Sequence, residues 1–147
     1  MMISRKEVLY MKNEVILNKI STIERCIKRI QDVYGNDPEN LEDFTKQDSI
    51  ILNIQRACEA SIDLAMHIVA GKKLGLPQSS REAFDLLVTA GLLSADLANK
   101  LKAMVGFRNI AVHDYQSVNL DIVRQIIEKH LTDFKLFTKE VMGILEF

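Results

Sequence analysis

Within eight residues, Arg108-Asn109-Ile110-Ala111-Val112-His113-Asp114-Tyr115, an otherwise aliphatic stretch carries a guanidinium, a carboxamide, an imidazole and a phenol. An imidazole is the side chain best suited to proton transfer near neutral pH. A guanidinium stabilises a phosphate that gains charge in a transition state. The pair suits cleavage of RNA without metal, because the 2′-hydroxyl of the RNA is itself the nucleophile. The protein then need supply only acid-base help, charge stabilisation and in-line positioning. Asn109 could orient a phosphate oxygen or His113. A structural reading stands beside this one: Arg and His in the last turn of a helix oppose its dipole, and Asn and Asp are common near helix ends. No metal set, glycine-rich phosphate loop or serine triad competes with the cluster elsewhere in the chain.

Arg108 lies eleven residues after Leu97, seven after Leu101 and four after Met104, which places it on the apolar side of its helix. A buried-face arginine needs a partner. It could snorkel to solvent, pair with an acid such as Glu59, or face a second subunit. On a continuous helix His113 is rotated by about 140° from Arg108, so the two cannot share one narrow stripe. They converge if the helix frays between Ala111 and Asp114, or if two copies of the segment meet across a two-fold axis.

The elements that must position this cluster are all helical. Apolar residues make up 48% of 147, with two prolines, six glycines and no tryptophan, which favours long helices over a turn-rich sheet and predicts a single all-α domain. Ile16, Ile20, Ile23, Ile27, Ile30 and Tyr34 recur at steps of three and four and predict a helix from about 12 to 34, ended by Gly35-Asn36-Asp37-Pro38. Residues 1–11 have little pattern and read as a poorly ordered extension, with Met11 an alternative start. Thr45 with Asp48 resembles a capping box for a second helix, whose broad face runs from Ile50 through Val69 to Gly71. Ser79 with Glu82 restarts the chain after Gly75-Leu76-Pro77 as a short helix near 80–90, closed by Gly91. Ser94 can cap a fourth helix with a buried stripe at Leu97, Leu101, Met104, Val105 and Val112. Asn119 can cap a fifth, in which Val123, Ile126, Ile127, Phe134, Phe137, Val141 and Leu145 keep helical spacing. Short loops between long helices predict an antiparallel four-helix bundle with one additional short helix.

A net charge of −1 argues against global attraction to nucleic acid, so binding a phosphate chain requires a local basic patch or a symmetric partner. Cys26 and Cys58 fall among aliphatic residues and read as buried free thiols rather than metal ligands. With no signal-peptide pattern and no apolar run of membrane-spanning length, the expected location is the cytoplasm. Arg56 and Glu59 are three apart and read as a local ion pair, or as support for the motif helix. His130 falls in the stripe of the fifth helix and reads as a hydrogen-bonded core or interface histidine. His67 reads as an edge position, and Phe134 and Phe137 as core. Lys72, Lys73, Lys100 and Lys102 read as solvated, with a basic rim as the alternative.

An Arg, four intervening residues, a His, one more residue and a Tyr, with Asn directly after the Arg, resembles the signature of the HEPN superfamily. More narrowly, the chain is similar to the HepT toxins encoded beside minimal nucleotidyltransferases (MNT). The likeness extends over nearly the whole chain, including the Asn-Ile-Gln-Arg-Ala-Cys-Glu run at 53–59. It implies a HEPN-like bundle that forms a homodimer, whose two facing motifs make a metal-independent ribonuclease site needing no cofactor. Arg108 and His113 would be catalytic and Asn109 a polar support. Tyr115 matches the tyrosine to which the cognate MNT antitoxin transfers AMP. Added phosphate two residues from His113 would repel and occlude RNA, and tRNA or mRNA would be the substrate. Two other readings stay open: a non-catalytic helical dimer that assists a nucleotidyltransferase, and a structural dimer whose polar cluster is an interface lock.

Overall fold

The helix that carries the motif lies antiparallel to the one that covers it, and a few long-range contacts define the register. In the computed structural model, which describes residues 2–145, helix α2 (Phe44–Gly71) packs on α4 (Ala95–His113). The Cys58 thiol donates to the Met104 carbonyl at 3.6 Å, and one end of the pair is closed by Asp48 and Tyr115. On its other side α2 packs against α1 (Arg5–Tyr34), also antiparallel, with Lys19 and Asp63 paired at 3.0 Å. The short α3 (Ser80–Thr89) covers α2 and α4, and the C-terminal helix returns along α4, α1 and α2. This is the expected antiparallel bundle of four main helices and one short one. Among the described residues there is no strand, and no helix is long and apolar enough to cross a membrane.

Helix α1 begins seven residues earlier than its apolar spacing indicates. Ser4 and Glu7 form a reciprocal capping box at its start, so most of the segment expected as an extension is helix, and Met1 lies outside the described residues. The helix ends at Gly35 (φ 58°) and Asn36 (φ 56°), both left-handed, a conformation that favours Gly and Asn. The cap of α2 also differs from the expected Thr45–Asp48 box. Asp43 takes the role, its side chain accepting from the Lys46 N–H at 3.0 Å, and Asp48 is left for another partner. Ser79, Ser94 and Asn119 cap their helices as expected.

The fifth predicted helix is interrupted. It runs as α5 (Leu120–Gln125), a π turn (Ile126–His130) and α6 (Leu131–Met142). A π turn inserts an extra residue and rotates everything after it. Leu131 therefore takes the core position that the spacing assigned to His130, which moves to a half-buried edge. There its Nδ1 lies 3.0 Å from Asp133, an acid only 4% exposed. Phe134 and Phe137 are buried in the core, with Phe137 edge-on to Phe84 at 5.7 Å. Each such side chain contributes on the order of 1.5–3 kcal/mol by burial. Both cysteines are buried and free.

Candidate functional site

The motif occupies the last turns of α4 and the single 3-10 turn that follows, Tyr115–Ser117. Helix α4 does not fray. It holds helical form through His113, and the Asp114 N–H still bonds the Ile110 carbonyl at 2.8 Å. Arg108 and His113 therefore remain about 140° apart around one axis, with a rise of about 7.5 Å between them. Of the two ways in which they could converge, the one that required fraying is removed.

Arg108 continues the line of Leu97, Leu101 and Met104 and is half-buried. Its Nε is fully buried and has no hydrogen-bond partner. The ion pair with Glu59 does not form; Glu59 instead accepts from the Gln55 amide at 3.0 Å. Arg108 instead lies close enough to Cys58 for its charge to oppose the upward shift that burial imposes on that thiol. An unsatisfied buried donor costs about 1–3 kcal/mol, and Arg108 Nε has no hydrogen-bond partner within this chain.

Asn109 is half-buried and His113 exposed, and they lie to one side of the Arg108 stripe, about 100° and 140° around α4 from it. That side is opened by Gly106, where a Cβ would sit 3.0 Å from the Arg81 guanidinium. Arg81 reaches across from α3 to bond the Lys102 carbonyl through Nε at 3.4 Å. It adds a positive charge to the helix face of His113 that sequence reasoning missed. A glycine in mid-helix, which costs up to about 1 kcal/mol relative to Ala, was the available signal. Val112, expected in the buried stripe, is exposed with Ile110, and Ala111 takes the core-facing place.

Tyr115 is 41% exposed, and its hydroxyl donates to the Asp48 carboxylate at the start of α2. Burial, then this hydrogen bond and the Asp48 charge, push the phenol up to about 12. Next to it, the Ser117 hydroxyl donates to Asp114 at 2.5 Å.

The remaining candidates stand apart from the motif. Arg56 is exposed, and its charge opposes the upward shift that burial imposes on the Cys26 thiol of α1; Glu59 is held by Gln55 rather than by Arg56. His67 is half-buried at the margin of α2. Lys100 and Lys102 are engaged by Asp96 at 3.2 Å and Asp85 at 2.7 Å, which removes them from a free basic rim, while Lys72 and Lys73 lie at the far end of α2. Among the described residues no cluster of three or more His, Cys, Asp or Glu is placed to hold a metal ion.

Comparison with known proteins places this arrangement. Residues 23–141 match the family model described as Ribonuclease HepT-like. The chain is 58% identical over 125 residues to the mRNA nuclease HepT of Shewanella oneidensis, covering 85% of this chain and 94% of that protein. Its fold matches a toxin-antitoxin crystal structure containing AMP-PNP with TM-score 0.85 and 54% identity, over 88% of this chain and 98% of the other. It also matches the tri-AMPylated Shewanella oneidensis HEPN toxin in complex with its MNT antitoxin, with TM-score 0.84 and 55% identity, over 88% and 97% of the two chains. A helical bundle carrying Arg108, Asn109, His113 and Tyr115 at the end of α4, matched over most of its length by these toxins, belongs to the HepT-like ribonuclease family of the HEPN superfamily.

Proposed function

We propose that this chain is the toxin of a type II toxin-antitoxin pair, a metal-independent endoribonuclease acting in the cytoplasm as a homodimer. The observation that carries the reading is the buried, unpartnered Nε of Arg108 on a helix that stays intact through His113. One copy offers a half-buried guanidinium on one side of α4 and an exposed imidazole on another. A second copy packed about a two-fold axis on the exposed Ile110 and Val112 completes a site with two of each group. One His113 withdraws the 2′-hydroxyl proton, and the other protonates the leaving 5′-oxygen. Arg108 stabilises the phosphorane charge and Asn109 orients a phosphate oxygen. The bond broken is P–O5′ and the bond made is O2′–P, which leaves a cyclic phosphate. The similarity to an mRNA nuclease favours mRNA over tRNA as the substrate.

In this reading an MNT antitoxin neutralises the toxin by transferring AMP to Tyr115, placing bulk and negative charge beside the site. The relationship to a tri-AMPylated toxin in complex with MNT supports it. The test is cleavage of mRNA and tRNA by the purified dimer in EDTA. Cleavage with cyclic phosphate ends is expected, with a loss of at least about 10²-fold in both His113→Ala and Arg108→Ala. Full activity in both variants would sink the assignment.

A further inference from the structure

Asp48 is surplus to the helix that contains it. Asp43 caps α2, Gln47 is turned to the Leu41 carbonyl and Lys46 to Asn40. Asp48 points instead across the bundle end to Tyr115, 67 positions along the chain. This bond ties the exposed Tyr115–Ser117 turn to α2. Asp114, in the adjoining turn, accepts from the Ser117 hydroxyl, and the carboxylate bonded to the phenol is that of Asp48. With its proton directed at Asp48, the phenolic oxygen leaves its lone pairs for an electrophile arriving from solvent.

We propose that Asp48 orients the Tyr115 hydroxyl and receives its proton during nucleotidylation, so that the acceptor protein supplies part of the chemistry of its own modification. The inference rests on the reading of Tyr115 as the AMP acceptor. The phenolic oxygen bonds to the α-phosphorus of a nucleoside triphosphate, the bond from that phosphorus to the pyrophosphate oxygen breaks, and pyrophosphate leaves. The phenol proton passes to the Asp48 carboxylate and from there to water. Asp48 touches the reacting O–H and not the triphosphate. Its removal therefore lowers the rate at saturating ATP and leaves the KM for ATP unchanged. After transfer the oxygen has no proton to donate, and Asp48 faces a phosphodiester of like charge, which releases the turn from α2.

The experiment follows AMP addition by intact-mass and peptide mass spectrometry. Full-length wild-type, Asp48→Asn, Asp48→Glu and Tyr115→Phe proteins are incubated with Mg-ATP and the MNT antitoxin of the Shewanella oneidensis complex. Circular dichroism confirms that each is folded. Asp48→Asn should slow the first addition about 10²-fold at pH 7, Asp48→Glu should recover most of the rate, and the deficit should narrow as pH rises and the phenol ionises without help. An Asp48→Asn rate equal to or above wild type overturns the role of Asp48 while leaving Tyr115 as acceptor. A deficit of constant size at every pH, unrescued by Glu, also overturns it, because a displaced turn behaves in that way. Absence of addition to the wild type, or equal addition to Tyr115→Phe, overturns the underlying reading instead.

Discussion

Replacing Arg108 by Met separates a site held for a ligand from a lock held for the fold. The Nε of Arg108 is buried without a partner, a desolvation cost of about 1–3 kcal/mol that the folded chain bears and the unfolded chain does not. Methionine keeps an unbranched stem of similar length against Leu101 and Met104, opens no sizeable cavity and removes the donor. Two guanidiniums brought together about a two-fold axis would also repel, so dimerisation adds to the cost rather than relieving it. A net gain of about 1–2 kcal/mol corresponds to roughly 3–6 °C in Tm for a domain of this size. The accompanying loss of RNA cleavage should be about 10²–10³-fold, the effect of removing one donor to a developing oxyanion. Thermal denaturation followed by circular dichroism at two protein concentrations, alongside cleavage in EDTA, reads both quantities. A Tm lowered by several degrees with cleavage retained would refute the reasoning, because Arg108 would then be satisfied by the protein itself and would act as an interface lock.

Gly106→Ala should raise stability by up to about 1 kcal/mol through helix propensity, since the new Cβ meets only the mobile end of Arg81. It should also push Arg81 off α4 and weaken RNA binding, and a lowered Tm measured by calorimetry would show that the glycine accommodates something less yielding than a side-chain tip. Tyr34, whose hydroxyl donates to Glu128, is raised from 10.0 to about 12 by burial and by that bond. The folded state thus holds this proton more tightly than the unfolded chain, and the contribution is complete below about pH 10 and lost as pH rises through 12. Tyr34→Phe should cost about 1 kcal/mol at neutral pH and flatten the fall in stability over that alkaline window; urea denaturation as a function of pH checks both, and an unchanged alkaline slope would contradict it.

The helices were legible because a buried stripe leaves a period in the sequence, and three of the caps because Ser and Asn act on backbone groups two or three residues away. What depends on a distant element left weaker traces. The π turn at Ile126–His130 changes the phase of α6 by one position, and the periodicity on either side absorbs that change because Ile127 and Leu131 are both apolar. His130 therefore read as a member of the stripe, and the buried Asp133 that holds it was not anticipated. Val112 failed for a related reason. Its spacing from Met104 and Leu101 suits burial, but at the end of α4 Ala111 faces the core instead, and Val112 is left uncovered within this chain.

For the site, the most useful quantity in the sequence was an incompatibility. Five residues on an unbroken helix cannot place a guanidinium and an imidazole on one stripe, and the intact α4 makes that constraint binding. In the proposed function a single copy would then have the parts of a ribonuclease site without its assembly, which is why the spacing bears on oligomeric state as much as on chemistry. Asp48 shows the converse. A Thr-x-x-Asp pattern before an apolar run has a local explanation, and nothing nearby contradicts it. Asp43 captures the cap because its carboxylate reaches the Lys46 N–H, and Asp48 acquires a role only through the antiparallel register that brings the start of α2 to the end of α4. A residue whose local explanation is taken over by a neighbour is free to serve a distant group, and here that group is the phenol on which regulation of the proposed nuclease would act.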